Sequence, residues 1–340
     1  AALVEWPVPV VGKFEERFLG LPREVLIATL QDHQRYFPIE DRSGKLAATF
    51  VAISNIESRD PARVVNGNER VVRPRLADAA FFWDNDRKRT LASRIDALKG
   101  VVFQTKLGSL YDKAQRVRTL AQSIAQGISA DAAAAARAAE LAKCDLLTSL
   151  VGEFPELQGT MGSHFARHDR EPDAVAEAIA EQYLPRFAGD QLPRSRPGMA
   201  LAIADKLDTI CGAFAIGQRP TGARDPFGLR RAALGVLRMA IELKLEVDLK
   251  ALIVTASAAQ PVKNSMAAEI YDYMMERLRA YYLEDSGISG MSSEVFDAVL
   301  VNQPASPLDF DARVRAVADF LSLPEAPALT AANKRIANIL

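Results

Sequence analysis

The sequence predicts a mainly α-helical protein that is preceded by a small α+β portion. β-rich patterning is confined to the front of the chain, where the run LAATFVAISNI follows the turn DRSGK. Behind it, apolar residues recur at helical spacing, in segments that end at Gly, Pro or polar clusters. A chain of 340 residues is long enough for two or three domains that each bury a core. We therefore predict an α+β portion over 1–82, an all-α domain over 83–246 and a further helical region over 247–340.

Each element follows from a local pattern. In the α+β portion, LPREVLIATLQDHQRYFPI predicts a short helix that runs into a strand, and RPRLADAAFFWDNDRK shows helical spacing. The all-α domain is predicted to contain helices over 90–99, 109–126, 130–154, 171–184, 198–212 and 225–244. Within it, DAAAAARAAELAKCDLLTSL combines high helix propensity with an apolar stripe, which predicts one continuous, deeply packed helix. Further helices are predicted in MAAEIYDYMMERLRAYYLED, SSEVFDAVLVN, DFDARVRAVADFLS and AANKRIANIL.

Composition limits the classes of protein that need to be considered. Hydrophobic residues make up 49% and charged residues 25%, which is typical of a folded, water-soluble chain. The formal net charge is −1, so a surface that binds nucleic acid must be a local patch. Cys144 and Cys211 lie far apart in apolar helical patterns, and we expect two reduced core thiols.

The sequence shows no sign of export or membrane insertion. It has no apolar run of about 18 residues, and its start lacks the pattern of a signal peptide. These observations predict a cytoplasmic protein. Because the chain starts without Met and stops inside a helical pattern, we expect it to be part of a larger protein.

A basic, turn-rich loop leads into a long amphipathic helix in PTGARDPFGLRRAALGVLRMAIE. Asp225 is expected to cap this helix, with Pro226 at the first helical position. Arg224, Arg230 and Arg231 crowd the first turns, where acidic side chains are normally favoured. They could therefore bind an external anion such as an RNA phosphate. Alternatively, they could belong to a solvated helix face whose arginines form ion pairs within the fold.

Further basic groups could also contact a phosphate backbone. They are Arg70, Arg73 and Arg75 in GNERVVRPRL, Arg116 and Arg118 in KAQRVRTL, and Lys334 and Arg335 near the end. Aromatic side chains occur in the same front segments and could stack on bases, although most of them are expected to lie in the core. These aromatic residues are Tyr36, Phe37, Phe81, Phe82 and Trp83.

The familiar catalytic motifs are missing from the chain. Phosphate-binding loops of the GxxxxGK[ST] and GxGxxG types, GxSxG elbows and HExxH helices do not occur. Three histidines also leave little room for a histidine-rich metal site. His168 and Asp169 are adjacent, as the ligands of some phosphohydrolases are, but they are predicted to lie in a loop or helix cap rather than on a rigid helix face.

Several acidic residues lie inside apolar helical patterns. Asp205 and Asp208 are three positions apart on one predicted helix, and Asp145 follows Cys144. They could bind a metal ion. We favour an ion pair with an arginine, such as Arg230 or Arg231, because a buried carboxylate normally needs a partner.

Several long blocks resemble one known family when they are taken in order. They include NGNERVVRPRLADAAFFWDND, VVFQTKLGSLYDK, LLTSLVGEFPELQGTMG and ADKLDTICGAFAIGQRPTGARDPFGLRRAALGVLR. Together they resemble the β subunit of bacterial tetrameric glycyl-tRNA synthetase. The resemblance implies part of an α2β2 ligase that attaches glycine to tRNA(Gly), with ATP and Mg used by the complete enzyme. It places the class II catalytic site on the α subunit and tRNA binding on the β subunit.

The resemblance also predicts domain types and partners. The front would be the end of a B3/B4-like domain, the middle an HD-type helical domain, and the last region would lead into a helical anticodon-binding domain that this chain does not complete. This chain itself would hold no catalytic residue, cofactor or metal. Its partners would be the α subunit and tRNA(Gly), without a membrane or DNA.

The HD-type resemblance departs from its pattern where metal chemistry would occur. Cys144 and Asp145 stand where phosphohydrolases of this type have His-Asp, Gln182 falls near another expected His, and Asp205 matches the closing Asp. Without imidazole ligands, we expect a scaffold without hydrolase activity. The alternatives are a metal-dependent phosphohydrolase that uses Asp145, His168, Asp169 and Asp205, or a purely structural helical adaptor.

Overall fold

The computed structural model describes residues 4–222, 224–263, 265–285, 288 and 291–337, without the side chains of residues 285, 333, 334, 336 and 337. The mainly α-helical prediction with a small α+β start is confirmed. The chain forms two compact units. The first unit comprises Ala1–Ile95 and Lys143–Glu171, and the second comprises Asp96–Ala142 and Pro172–Leu340. The domain boundaries predicted near residues 82 and 246 stay predictions.

Strands are few and short. They are β1 (Val8–Lys13), β2 (Phe37–Glu40), β3 (Leu46–Ser54), β4 (Val102–Gln104) and β5 (Gly108–Ser109). The α-helices are α1 (Arg23–Ile27), α2 (Pro61–Asp86), α3 (Leu110–Gly127), α4 (Ala132–Leu141), α5 (Ser149–Glu153), α6 (Thr160–His168), α7 (Asp173–Glu181), α8 (Arg196–Ala215), α9 (Leu229–Glu242), α10 (Leu249–Ala258), α11 (Ala267–Asp285), α12 (Ser293–Leu300), α13 (Pro307–Leu321) and α14 (Ala326–Ala337). Shorter 3₁₀ segments cover Glu16–Gly20, Ala92–Gly100, Cys144–Leu147 and Pro155–Leu157, and a π-helical turn covers Ala28–His33.

The first unit is built on an antiparallel sheet in the order β1-β3-β2. Gly12 of β1 pairs with Phe50 of β3, and a Cβ atom at Gly12 would collide with the buried Phe50 ring. The helix α2 lies against β1 and is longer than predicted, because it starts at Pro61 and continues through Pro74. The Asp60 carboxylate accepts from the Arg63 N–H at 3.3 Å and so caps its start.

The prediction of one continuous helix over 130–154 is wrong. The chain leaves the helix after Leu141, forms a 3₁₀ turn, and restarts as α5. The restart is capped from a distance, since the Asp86 carboxylate accepts from the N–H groups of Ser149 at 3.0 Å and Leu150 at 2.9 Å. A hydrogen-bond acceptor from a distant part of the chain therefore sets this helix start, against the local helix propensity of the segment.

The second unit is organised around α8. This helix contacts α3, α4, α7, α9 and α10, and it is buried along most of its length. Small residues such as Ala200, Ala204 and Gly212 let its neighbours approach closely. Ser109 and Asp112 form a capping box at the start of α3, as expected for a helix predicted from residue 109. By contrast, the helix predicted over 90–99 is a 3₁₀ segment.

Candidate nucleic-acid interface

The N-terminus of α9 is occupied by the chain's own acid. The Asp225 carboxylate accepts from the N–H groups of Leu229 at 2.7 Å and Arg230 at 3.0 Å. Gly228 precedes the helix in the left-handed conformation, with φ at 63°. Asp225 thus caps the helix, as predicted. The prediction that Pro226 occupies the first helical position is wrong, because the helix begins at Leu229. Because these end N–H groups already have an anionic acceptor, an RNA phosphate would have to bind the arginine side chains instead, and that contact stays a prediction.

The three arginines around this helix start remain available for external ligands. The Arg230 Nη2 donates to the Gly222 carbonyl at 2.6 Å, which holds the side chain without an ion pair. Arg224 and Arg231 are exposed. Within the described residues, no ion pair involves Arg224, Arg230 or Arg231. The alternative of arginines paired within the fold is therefore not what the structure shows.

A cleft next to these arginines adds residues that sequence reasoning missed. It encloses about 270 Å³ and is lined from α9 by Arg230, Arg231 and Arg238, and from α11 by Arg277. Arg277 lies in the sequence MERLRAYY, which mixes basic and aromatic residues. That mixture was the feature of the sequence that could have indicated a nucleic-acid contact at Arg277. Nothing in the sequence, however, placed α11 beside α9.

Arg73 and Arg75 lie on α2 in the first unit. Their side chains are 64% and 53% exposed, and their acidic neighbours are distant: Arg73 Nε is 3.7 Å from Glu15 Oε1, and Arg75 Nη1 is 4.0 Å from Glu153 Oε1. Since residues two apart on a helix point to different sides, the two guanidiniums do not share a face. They are accessible cations, and their contact with RNA stays a prediction.

The remaining predicted RNA contacts divide into exposed and buried residues. Arg335 on α14 is exposed, whereas the side chain of Lys334 lies outside the described part of the chain. Arg116 is not a surface cation at all. Its Nε donates to Asp208 Oδ1 at 2.7 Å, and its side chain is 10% exposed. Arg116 therefore belongs to the interior of the second unit.

Asp208 is the centre of a buried charge network. Lys113 Nζ lies 3.1 Å from Asp208 Oδ2 and 3.3 Å from Asp205 Oδ1, and Gln260 Nε2 donates to Asp208 at 3.0 Å. Burial disfavours the charged form of Asp208, but Lys113 and Arg116 together outweigh it and hold the pKa of Asp208 below its ordinary value. The predicted ion pair of Asp205 and Asp208 with Arg230 or Arg231 is thus wrong, because the basic partners come from α3.

Asp145 has a different environment. Its Oδ2 accepts from the N–H groups of Gly159 at 2.6 Å and Gly162 at 3.1 Å, while its Oδ1 is buried without a hydrogen-bond partner. Burial raises the pKa of Asp145 to about 6, against the opposing effect of these N–H groups and of the Lys143 charge. An arginine partner, as predicted for Asp145, is not found among the described residues. Asp145 serves to tie the backbone of α6 to the preceding turn.

The other HD-type positions also have structural contacts. Cys144 is fully buried in the first unit with Asp145. In the second unit, Gln182 Nε2 donates to the carbonyls of Ala142 at 2.8 Å and Ile179 at 3.0 Å. Asp205, in the same unit, lies 3.3 Å from Lys113 Nζ. The HD-type fold stays a prediction.

His168 and Asp169 lie at the end of α6 rather than in an open loop. His168 is the last residue of the helix, and Asp169 Oδ2 accepts from the Leu91 N–H at 2.7 Å. This arrangement agrees with the helix-cap interpretation. Across the described part of the chain, no group of three or more His, Cys, Asp or Glu side chains is placed to hold a metal ion.

The prediction that most of the front aromatic residues lie in the core is wrong, because Tyr36, Phe82 and Trp83 are only partly buried. Trp83 stacks on Phe165 with ring centroids 5.2 Å apart. Phe37 and Phe81 are exposed, at 52% and 65%. None of the helices in the described residues has the length and apolar character needed to cross a membrane.

Comparison with known proteins identifies the family. A family model described as glycyl-tRNA synthetase beta subunit matches residues 1–301. The chain is 54% identical over 343 aligned residues to the glycine–tRNA ligase beta subunit of Hahella chejuensis, and 52% identical over 343 to that of Chromohalobacter salexigens. Each alignment covers 100% of this chain and 49% of the relative, so the chain spans about half the length of the curated relatives it matches. The chain belongs to the glycyl-tRNA synthetase beta subunit family.

Proposed function

We propose that this chain is a tRNA-binding, non-catalytic part of a glycine–tRNA ligase β subunit. The observation that carries the proposal is sequence identity above one half along the whole chain with subunits of that name. The geometry supports it, because Arg230 and Arg231 line one cleft, Arg224 is exposed, and none of the three has an ion pair among the described residues. Guanidinium groups suit phosphate oxygens, which they bind with two parallel hydrogen bonds.

The partners and cofactors follow from the same proposal. The α subunit would carry the class II catalytic site, bind ATP and Mg, and join the β subunit in an α2β2 assembly. The β subunit would bind tRNA(Gly), and it would need neither DNA nor a membrane. The proposal also places the protein in the cytoplasm, where tRNA is charged in bacteria.

The polar residues of the interior support a non-catalytic role. Asp145, Asp169 and Asp208 are all used in hydrogen bonds that fix the backbone or balance buried cations. Burial raises the pKa of the Cys211 thiol to about 12, so it is protonated and a poor nucleophile at neutral pH. None of these contacts favours the phosphohydrolase alternative.

A salt series tests the proposal. Binding of tRNA(Gly) by the complete two-subunit enzyme is measured by filter binding for the wild type, Arg230→Ala and Arg231→Ala. Each substitution is expected to weaken binding and to reduce the slope of log K against log [salt] by about one, because one phosphate contact is lost. Arg313→Ala is the matched control, since Arg313 is exposed and lies 3.0 Å from Asp309 on its own helix.

The outcomes separate the proposal from its rivals. If Arg230→Ala and Arg231→Ala lower the stability but leave the salt slope intact, these arginines are structural and the docking assignment fails. If no variant changes tRNA affinity and the wild type does not bind tRNA, the chain is a structural adaptor.

A further inference from the structure

The cleft between α9 and α11 is more than a basic surface, because it combines cations with flat apolar walls. Its remaining lining residues come from the loop 185–189, from Leu234 and Gly235 of α9, and from Ala280, Tyr281 and Glu284 of α11. At about 270 Å³ it lies near the lower end of the range for small-ligand pockets. This size suits one ring-bearing group and excludes a duplex.

The charge of the cleft is only partly balanced. Arg238 is neutralised, because its Nε donates to Glu242 Oε1 at 2.6 Å. Glu284 is the acidic residue in the lining, opposite Arg230, Arg231 and Arg277. The cleft therefore has an excess of positive charge and favours an anion.

Arg277 adds a cation to the cleft that no acidic side chain in the described part of the chain pairs with. It reaches over the Tyr273 ring, with Cζ 5.7 Å from the ring centroid, and it has no ion pair within the described residues. Its Nε is buried and lacks a hydrogen-bond partner. An anion that entered the cleft could accept charge-assisted hydrogen bonds from the Arg277 guanidinium, because Arg277 lines the cleft.

Phe187 supplies an aromatic face at the entrance. It is 58% exposed, although a phenylalanine ring in water is unfavourable. Its loop is held in place, because Arg186 N donates to Asp190 Oδ2 at 2.8 Å. The loop also sits close to α9, where a Cβ atom at Gly235 would come within 3.2 Å of Pro185 Cγ. Phe187 is thus exposed on a fixed loop rather than on a loose one.

We infer that this cleft binds a single unpaired nucleotide of the RNA, with its phosphate on Arg231 and Arg277 and its base against Phe187. The inference rests on the proposed function, which supplies RNA as the ligand. Proteins read single-stranded RNA by stacking splayed bases on aromatic rings beside a basic groove. Paired bases are excluded, since a base inside a helix cannot present its face to Phe187.

Two kinds of substitution in the complete two-subunit enzyme separate stacking from charge. Phe187→Ala is expected to weaken tRNA(Gly) binding about 5- to 150-fold with an unchanged salt slope, because stacking releases no counterions. Phe187→Tyr keeps the ring and is expected to bind like the wild type. Arg277→Gln is expected to weaken binding and to lower the salt slope by about one. Phe320→Ala is the control, since Phe320 is 38% exposed and does not line the cleft.

A photoreactive phenylalanine analogue at position 187 identifies the nucleotide. We expect a crosslink to one unpaired position of tRNA(Gly). Crosslinks only to paired stems, or normal affinity for Phe187→Ala, would overturn the inference. If Arg230→Ala and Arg231→Ala weaken binding while Phe187→Ala and Arg277→Gln do not, the proposed function stands and the cleft assignment alone fails. If the wild type does not bind tRNA(Gly), both fail.

Discussion

Asp145 and Asp208 are both buried carboxylates, yet their surroundings shift their pKa values in opposite directions. Asp208 faces Lys113 and Arg116, which stabilise its charge and lower its pKa. The Asp145 carboxylate accepts from backbone N–H groups, and burial raises its pKa to about 6 against the effect of these groups and of the Lys143 charge. Two residues of the same type therefore respond differently to pH, for reasons that lie in their partners.

The effect of Asp145 on stability can be isolated with Asp145→Asn. Because its pKa is raised in the folded state, Asp145 contributes stability at low pH that is lost as the pH rises through about 6. The Asn oxygen can still accept from the Gly159 and Gly162 N–H groups. Between pH 4 and pH 7, we expect the free energy of unfolding of the wild type to fall by about 2 kcal/mol relative to the variant.

Tryptophan fluorescence during urea unfolding reports this difference, since Trp6 and Trp83 of this chain both lie in the first unit with Asp145. Parallel pH profiles for the wild type and Asp145→Asn would show that Asp145 is ionised in the folded state throughout this range.

Asp208→Asn tests the buried charge network. Its lowered pKa means that Asp208 stabilises the fold above its ordinary pKa, and that this stability is lost as the pH falls through the lower, folded-state value. At pH 7 the variant leaves Lys113 and Arg116 undercompensated, and we expect a loss of about 3–5 kcal/mol in the free energy of unfolding. Urea unfolding followed by circular dichroism measures this loss of free energy of unfolding. Asp309→Asn, which removes an exposed acid, should cost less than about 1 kcal/mol. Equal effects of the two variants would contradict the network.

At the scale of elements, the start of α9 shows that a sequence motif can predict a helix start correctly while its residues take other positions than predicted. The proline, aspartate and arginine pattern did mark a helix start that is crowded with cations. The helix begins at Leu229, however, and Asp225 reaches forward from the loop to cap it. Arg230 and Arg231 therefore face the cleft at the side of the helix, beside α11, rather than the helix end.

Removing this cap tests the role of Asp225. Asp225→Ala is expected to lower the free energy of unfolding by about 0.5–2 kcal/mol, because two N–H groups lose their acceptor. Binding of tRNA should stay unchanged or tighten, since a negative charge near three arginines disappears. Asp225→Asn keeps an acceptor oxygen and should cost less. Thermal unfolding and filter binding measure the two effects. Weaker tRNA binding without loss of stability would assign Asp225 to the RNA site instead.

Local patterns predicted the helices well where local groups cap them. The helix α3 begins where Ser109 and Asp112 form a capping box, and both residues are visible in the sequence. The break before α5 was not predictable, because its cap, Asp86, lies 63 residues from Ser149 in the sequence. Pro74 misled the prediction in the other direction, since α2 continues through it.

The candidate site was predictable only in part for the same reason. Arg230 and Arg231 were found because the loop and helix that carry them are continuous in sequence. Phe187 and Arg277 were missed because only tertiary packing brings their segments beside α9. The ion pair of Arg116 with Asp208 was not predicted either, because Asp208 lies on α8, far from Arg116 in the sequence.

For the whole molecule, a balanced net charge of −1 coexists with basic surfaces in each unit. Arg73 and Arg75 are exposed in the first unit. In the second unit, Arg230 and Arg231 line one cleft and Arg224 is exposed. The interior acids are paired with buried cations or backbone N–H groups, so they do not cancel these surfaces. Such a chain can hold RNA locally without general attraction to polyanions.

The central claim is that this chain binds tRNA and takes no part in the activation of glycine. The most direct measurement compares two reactions of the complete enzyme that carries Arg230→Gln and Arg231→Gln. We predict that kcat/KM for tRNA(Gly) in aminoacylation falls at least about tenfold, because phosphate contacts are lost. Glycine-dependent exchange of pyrophosphate into ATP, measured without tRNA, should remain at the wild-type rate. A parallel fall in both reactions, or an unchanged kcat/KM for tRNA, would contradict the claim.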